Sequence, residues 1–161
     1  MLKWLWLSGV IVVLDQGFKA LAVAYLELHW PLAVTSGVNL TLTYNPGAAF
    51  SFLAGAGGWQ RWVLLGLAVG VSGVLIFWLR RLPSEARLTA LALSAIIGGA
   101  LGNAIDRALW GAVIDYIDLY APWGGRTYHW PAFNVADAAI SSGAGLLVFE
   151  SFRPHRGRGG S

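Results

Sequence analysis

The chain has 161 residues, of which 57% are apolar and only 12% charged, and 21 are glycine. A soluble domain carries about 25% charged residues, and a fold this short cannot hide so much apolar surface, which argues against a water-soluble globular enzyme. Disorder is excluded more firmly, because it needs low hydrophobicity and high charge. The length suits a single domain over 1–161, and the composition is that of an integral membrane protein. With no cysteine in the chain, disulfides, thiolate zinc sites and cysteine nucleophiles are all removed. His29, His129 and His155 are scattered with no HExxH pair, so neither a metal site nor a cofactor is expected. The net charge of +3 could suggest nucleic acid, but the placement of the charges suggests membrane topology instead, and no nucleic-acid partner is expected.

A spanning helix needs about 20 mostly apolar residues. Four spans are expected, at about 4–26, 60–79, 88–109 and 135–152, with outer loops at about 27–59 and 110–134 and a basic tail over 153–161. The two middle spans are the clearest: Trp62 to Leu79 carries no charge, and Leu88 to Ile105 has only Asn103 as a strongly polar residue. The first and last are interrupted by ionisable groups. A cleaved signal peptide is the alternative for the first, with Lys3 as its basic end and Ala20-Leu21-Ala22 as the cleavage site. With four uncleaved spans, Lys3, the Arg80–Arg87 hairpin and the Arg153–Arg158 tail share one side, which the positive-inside rule makes cytoplasmic. Both termini are then cytoplasmic, and membrane lipids contact the protein around the bundle.

In the first outer loop Val38, Leu40, Leu42 and Tyr44 alternate with Asn39, Thr41, Thr43 and Asn45, the period-2 pattern of a half-buried strand. Asn45-Pro46-Gly47 follows with turn chemistry. The second outer loop holds Trp110, Trp123 and Trp130 with Tyr116, Tyr120 and Tyr128, a set that suits an interfacial belt. The expected fold is an all-α integral membrane protein with four transmembrane helices and a small extracytoplasmic β-sheet between the first two.

Ionisable groups inside a span are costly, so each is a functional candidate. Asp15 and Lys19, at i and i+4, can pair on one helix face. Asn103, Asp106 and Arg107 share a face at i, i+3 and i+4. Either group could simply lock helices together, and Gly98 and Gly102 form a GxxxG step that permits close approach. Asp115 and Asp137 differ, because the third span ends near the first of them and the fourth begins near the second, both on the outer side. Two carboxylates brought together in a poorly solvated place cannot both ionise, and so furnish a general base and a general acid. The alternative is that Asp115 and Asp118 are ordinary solvated loop carboxylates and Asp137 caps the last helix. Spacing alone leaves these readings open.

Five blocks carry a family resemblance: Asp15-Gln16-x-x-Lys19, Asn45-x-Gly47-x-Ala49-Phe50, Gly98-Gly99-Ala100-x-Gly102-Asn103-x-x-Asp106-Arg107, Val113-x-Asp115, and Phe133-Asn134-x-Ala136-Asp137. In this order and these topological places, the chain resembles the lipoprotein signal peptidases, the type II signal peptidases of bacteria. The resemblance implies catalytic aspartates at Asp115 and Asp137. It implies polar partners at Asn45, Gly47, Asn103, Arg107, Asn134, Asp15 and Lys19, the last two stabilising helix packing. It also implies a sheet cradle, an outer-surface helix, and a place in the bacterial inner membrane with the active site near its outer face. The implied activity is aspartic endopeptidase cleavage of diacylglyceryl-modified prolipoproteins just before the lipid-modified cysteine, by an enzyme expected to be monomeric. One departure is the Tyr120–Pro131 segment with its Gly124-Gly125-Arg126 insert, a lid-like stretch a little long for the family. The rival readings are a small transporter or proton relay built on the same buried charges, and a non-catalytic assembly factor.

Overall fold

The computed structural model describes residues 1–47 and 57–153. Ala49 and Phe50 of the second block, and His155, Arg156 and Arg158 of the tail, lie outside the described residues. A 3-10 turn over Leu2–Trp4 leads into α1 (Leu5–Tyr25), followed by β1 (Leu32–Thr35), β2 (Val38–Asn45), α2 (Gln60–Arg81), α3 (Arg87–Trp110), β3 (Val113–Trp123), β4 (Arg126–His129) and α4 (Val135–Ser151).

Three helical stretches are long and apolar enough to cross a membrane: Leu2–Tyr25, Gln60–Arg81 and Arg87–Trp110, with mean hydropathies of 1.6, 2.3 and 1.8. The fourth helix has 17 residues and is shorter than these. Of the most apolar 18-residue window in each stretch, 61% is buried inside the protein in α3, against 22% in Leu2–Tyr25 and 11% in α2, so α3 is the central post. Its small residues make that possible. A Cβ on Gly98 would lie 2.9 Å from the Ile11 side chain, one on Gly99 would collide with the Ala136 carbonyl, and α4 returns the fit with Gly143 against Ala92 O. At one end Leu79, Ala90, Leu93 and Ile97 form a core against which Met1, Trp4 and Leu147 pack, so the N-terminus, the α2–α3 hairpin and the end of α4 lie together. The sheet covers the opposite end.

That sheet corrects the expected fold. It has four strands in the order β1-β2-β3-β4, and only β1 and β2 come from the loop between the first two helices. β3 and β4 come from the second outer loop, so the molecule is a helical bundle with a substantial sheet rather than all-α. In the β2–β3 register Thr43 faces Asp115, Asn45 faces Val113 and Asn39 faces Asp118. The sequence hides β3 because it is buried on both faces from Val113 to Tyr116, and a doubly buried strand shows no alternation. The lid-like segment is the β3–β4 hairpin. Trp123 pairs with Arg126, and the intervening Gly124 and Gly125 have φ of 57° and 76°, as a two-residue hairpin turn of right-handed twist requires. Among the described residues the outer loops hold no additional helix.

Candidate active site

Asp115 lies in the buried half of β3, 3% exposed. Asn134 Nδ2 donates to its Oδ1 at 2.7 Å and Asn45 Nδ2 to its Oδ2 at 3.3 Å. Burial, and then the charge of Asp137, push the Asp115 carboxyl from its ordinary 3.8 up to about 7, while Asn45, Asn134 and Lys19 pull the other way. The backbone carbonyl of Asp115 accepts from Thr43 Oγ1 at 3.3 Å, so β2 holds both ends of the residue.

Asp137 sits in the first turn of α4. The cap of that helix is Asn134, not Asp137: Asp137 N–H donates to Asn134 Oδ1 at 2.8 Å, and Asn134 N–H returns a bond to Asp137 Oδ2 at 3.3 Å. This reciprocal box satisfies two otherwise unpaired groups. Asn103 Nδ2 donates to the remaining oxygen, Asp137 Oδ1, at 2.7 Å. Asn134 therefore bonds both aspartates, through its amide to Asp115 and through its carbonyl to the backbone of Asp137.

The two carboxyls open on a cleft of about 440 Å3 lined also by Asn45, Asn103, Arg107 and Trp130. An apolar groove of about 360 Å3 meets it at Asn103, Arg107, Asp137 and Ser141, and runs along Leu64, Leu67 and Val71 of α2. Arg107 lines both and donates to Gly47 O at 2.9 Å. Gly47 N–H in turn donates to Asn45 Oδ1 at 3.0 Å, the side-chain-closed turn expected from Asn45-Pro46-Gly47.

The fold thus gathers Asn45, Asn103, Arg107, Asp115 and Asp137 at one cleft, with Asn134 and Gly47 bonded to its walls. Asp15 and Lys19 do not line it and lie behind α3. Asp106 does not line the cleft either and faces α1, where Gln16 Nε2 donates to it at 2.9 Å. Sequence reasoning read Asp106 only as one of a polar group on the face of α3 and gave Gln16 no role, although both stand inside the family blocks. The alternative that Asp118 is an ordinary solvated loop carboxylate is corrected as well. Asp118 is 7% exposed, accepts from Asn39 Nδ2 at 2.9 Å and pairs with His129 Nδ1 at 2.9 Å. Among the described residues no group of three or more His, Cys, Asp or Glu side chains is spaced to hold a metal ion.

Apolar helices, a sheet across one end and a cleft holding two hydrogen-bonded carboxyls define the class of a membrane enzyme. The chain belongs to the signal peptidase II family, whose model, described as signal peptidase (SPase) II, matches residues 7–153. It is 49% identical over 150 residues to a lipoprotein signal peptidase of Teredinibacter turnerae, covering 93% of this chain and 87% of that one. It is also 49% identical over 152 residues to one from Pseudoalteromonas atlantica, covering 94% and 90%. Two solved structures of bacterial membrane enzymes share the fold. One has a TM-score of 0.81 at 24% identity over 97% of this chain and 94% of that one; the other has 0.79 at 25% over 95% and 94%. The protein is a peptidase of a bacterial membrane.

Proposed function

We propose that this peptidase removes signal peptides from diacylglyceryl-modified prolipoproteins by aspartic catalysis, cutting before the lipid-modified cysteine. The likeness to lipoprotein signal peptidases supports the substrate class. The observation that carries the mechanism is the Asp115–Asp137 pair, each hydrogen-bonded through Asn134, with Asp115 raised to about 7. A pair that shares one proton can take a proton from water with one carboxylate while the other protonates the scissile carbonyl oxygen. The tetrahedral diol then collapses: the carboxyl that took the water's proton passes it to the leaving nitrogen while a diol hydroxyl gives one to the other carboxylate, which regenerates the singly protonated pair. In this reading the pair holds one proton between turnovers, and the carboxyl left ionised activates the water. Asn45 and Asn134 orient Asp115, Asn103 orients Asp137, and Arg107 with Gly47 forms the wall that receives polar backbone of the substrate.

The apolar groove on α2 suits a substrate that arrives anchored in the bilayer by an apolar segment. In the proposed topology α4 is the fourth span, both termini are cytoplasmic, the sheet and cleft lie near the outer face of the inner membrane, and a single copy suffices. A transporter would spread polar groups along the full depth of the bundle, whereas here the ionisable ones gather at the sheet end.

The test is cleavage of a precursor already carrying its diacylglyceryl group, as initial rate per folded enzyme. Asp115→Asn and Asp137→Asn are each expected to lose at least about 10³-fold, since an amide cannot exchange the proton, and extensive chelation is expected to leave the parent rate unchanged. Robust turnover by either variant, or loss on chelation with return on adding zinc, would sink the mechanism.

A further inference from the structure

Lys19 is 1% exposed, Asp15 0% and Asp106 1%, so three formal charges lie fully inside the protein, outside the cleft. Lys19 Nζ stands 2.8 Å from Asp15 Oδ2 and 2.7 Å from Asp106 Oδ2, and donates to Asn103 Oδ1 at 2.9 Å. Replacing a buried ion cluster by well-packed apolar residues is often neutral or stabilising, so stability alone is a weak account of its presence.

The bonds that leave the cluster supply one. Asp15 Oδ1 accepts the backbone N–H of Ala136 at 2.9 Å, and Asp106 Oδ2 accepts that of Ile114 at 3.1 Å. These are the residues immediately before Asp137 and Asp115, on two different elements. The Ala136 N–H is one of the unpaired donors of the first turn of α4, and α1 supplies its acceptor from another part of the fold. The third arm runs through Asn103, whose Oδ1 accepts from Lys19 and whose Nδ2 donates to Asp137. A cluster serving helix packing alone would close on itself. Here each member has a bond that ends one step from a site carboxylate.

We infer that Asp15, Lys19 and Asp106 are positioning residues of the carboxylate pair. A single buried ammonium fixes two carboxylates, and these fix the backbone on which Asp115 and Asp137 are carried, and with it the relative placement of two groups that exchange one proton. The inference rests on the proposed aspartic mechanism. Displacements of about 1 Å at reacting groups cost about 10²-fold in rate, so a loosened triad is expected to lower kcat while KM, set by the groove and the cleft wall, holds.

The experiment measures kcat, KM and folded fraction for the full-length enzyme in lipid bicelles, well below its melting temperature. Asp15→Ala and Asp106→Ala remove the backbone acceptors. Asp15→Asn and Asp106→Asn keep an acceptor oxygen. Gly102→Ala keeps every charge but places a Cβ 2.6 Å from Asp15 Oδ2, which drives that carboxylate off its partners. The alanine variants and Gly102→Ala are expected to lose at least about 30-fold in kcat per folded molecule with KM within about threefold, and the asparagine variants to recover most of the loss. Parent-like kcat per folded molecule in Gly102→Ala, or in whichever alanine variant accumulates, overturns the inference; if neither alanine variant accumulates, Gly102→Ala decides alone. Asp137→Asn in the same series separates the two levels. If it stays active, the mechanism fails; if it is dead while the triad variants turn over normally, only the positioning role fails.

Discussion

Asp115 and Asp118 stand three residues apart on one strand, and their surroundings give them different work. Asp118 is enclosed by Asn39 and His129 and pins the β3–β4 hairpin to β2. Its truncation leaves two donors searching for a partner, so Asp118→Ala is expected to cost about 1–3 kcal/mol of stability while the rate per folded molecule stays near the parent's. A melting curve and a cleavage assay together check this, and a folded but inactive Asp118→Ala would place Asp118 in the chemistry. Asp115 makes a prediction in pH. Its carboxyl binds a proton more tightly folded, at about 7, than at the ordinary 3.8. The stability it contributes is therefore complete below about pH 4 and lost as pH rises through about 7. The melting temperature should fall between pH 5 and pH 8, and Asp115→Asn should flatten that slope; an equally steep slope in the variant would contradict the shift. The type and spacing of these aspartates were legible in the sequence, but their burial was not. Asp118 looks like a solvated residue until β3 is seen to be enclosed.

Among the elements, α3 and α4 show how a short helix can be held accurately. α4 has 17 residues, yet it carries Asp137 at its third position, and small residues bring it against α3. A Cβ on Gly143 would meet Ala92 O at 2.7 Å and Ile96 Cγ1 at 2.7 Å. Gly143→Val must push the two helices apart, and overpacking of this kind costs about 1–3 kcal/mol; a melting temperature unchanged from the parent's would show that the contact yields. The helices were legible because their apolar runs are long. β2 was legible because its apolar and polar residues alternate, although the polar face, with Asn39 and Thr41, is the more buried one. β3 was not, because its polar residues at Asp115 and Asp118 break any period of two, and both are buried for reasons that lie in other parts of the chain: Asn134 for one, Asn39 and His129 for the other. A strand whose pattern is set by distant partners cannot be read from its own residues.

For the whole molecule, the prediction is sidedness. The absence of cysteine makes any introduced thiol unique, and Ser36, Trp123 and Ser84 are all exposed. Cysteine at 36 or 123, on the sheet, is expected to react with a membrane-impermeant reagent from outside intact spheroplasts. Cysteine at 84, in the hairpin between Arg81 and Arg87, is expected to react only after permeabilisation. Labelling of 84 from outside would invert the topology.

The pairing of β2 with β3 joins residues about 70–80 positions apart in the chain, and this bears on the order of events during synthesis. The strand that will hold Asn45 emerges first and waits with an unpaired edge while two more helices are made and inserted. Asp115 finds its partners only when α3 is in place, and the second carboxyl arrives with the last helix, together with the asparagine that links them. A nascent chain halted anywhere before residue 137 therefore lacks one member of the proposed catalytic pair. In the proposed mechanism, the order of these segments along the chain leaves the pair of carboxyls incomplete until the last helix is made.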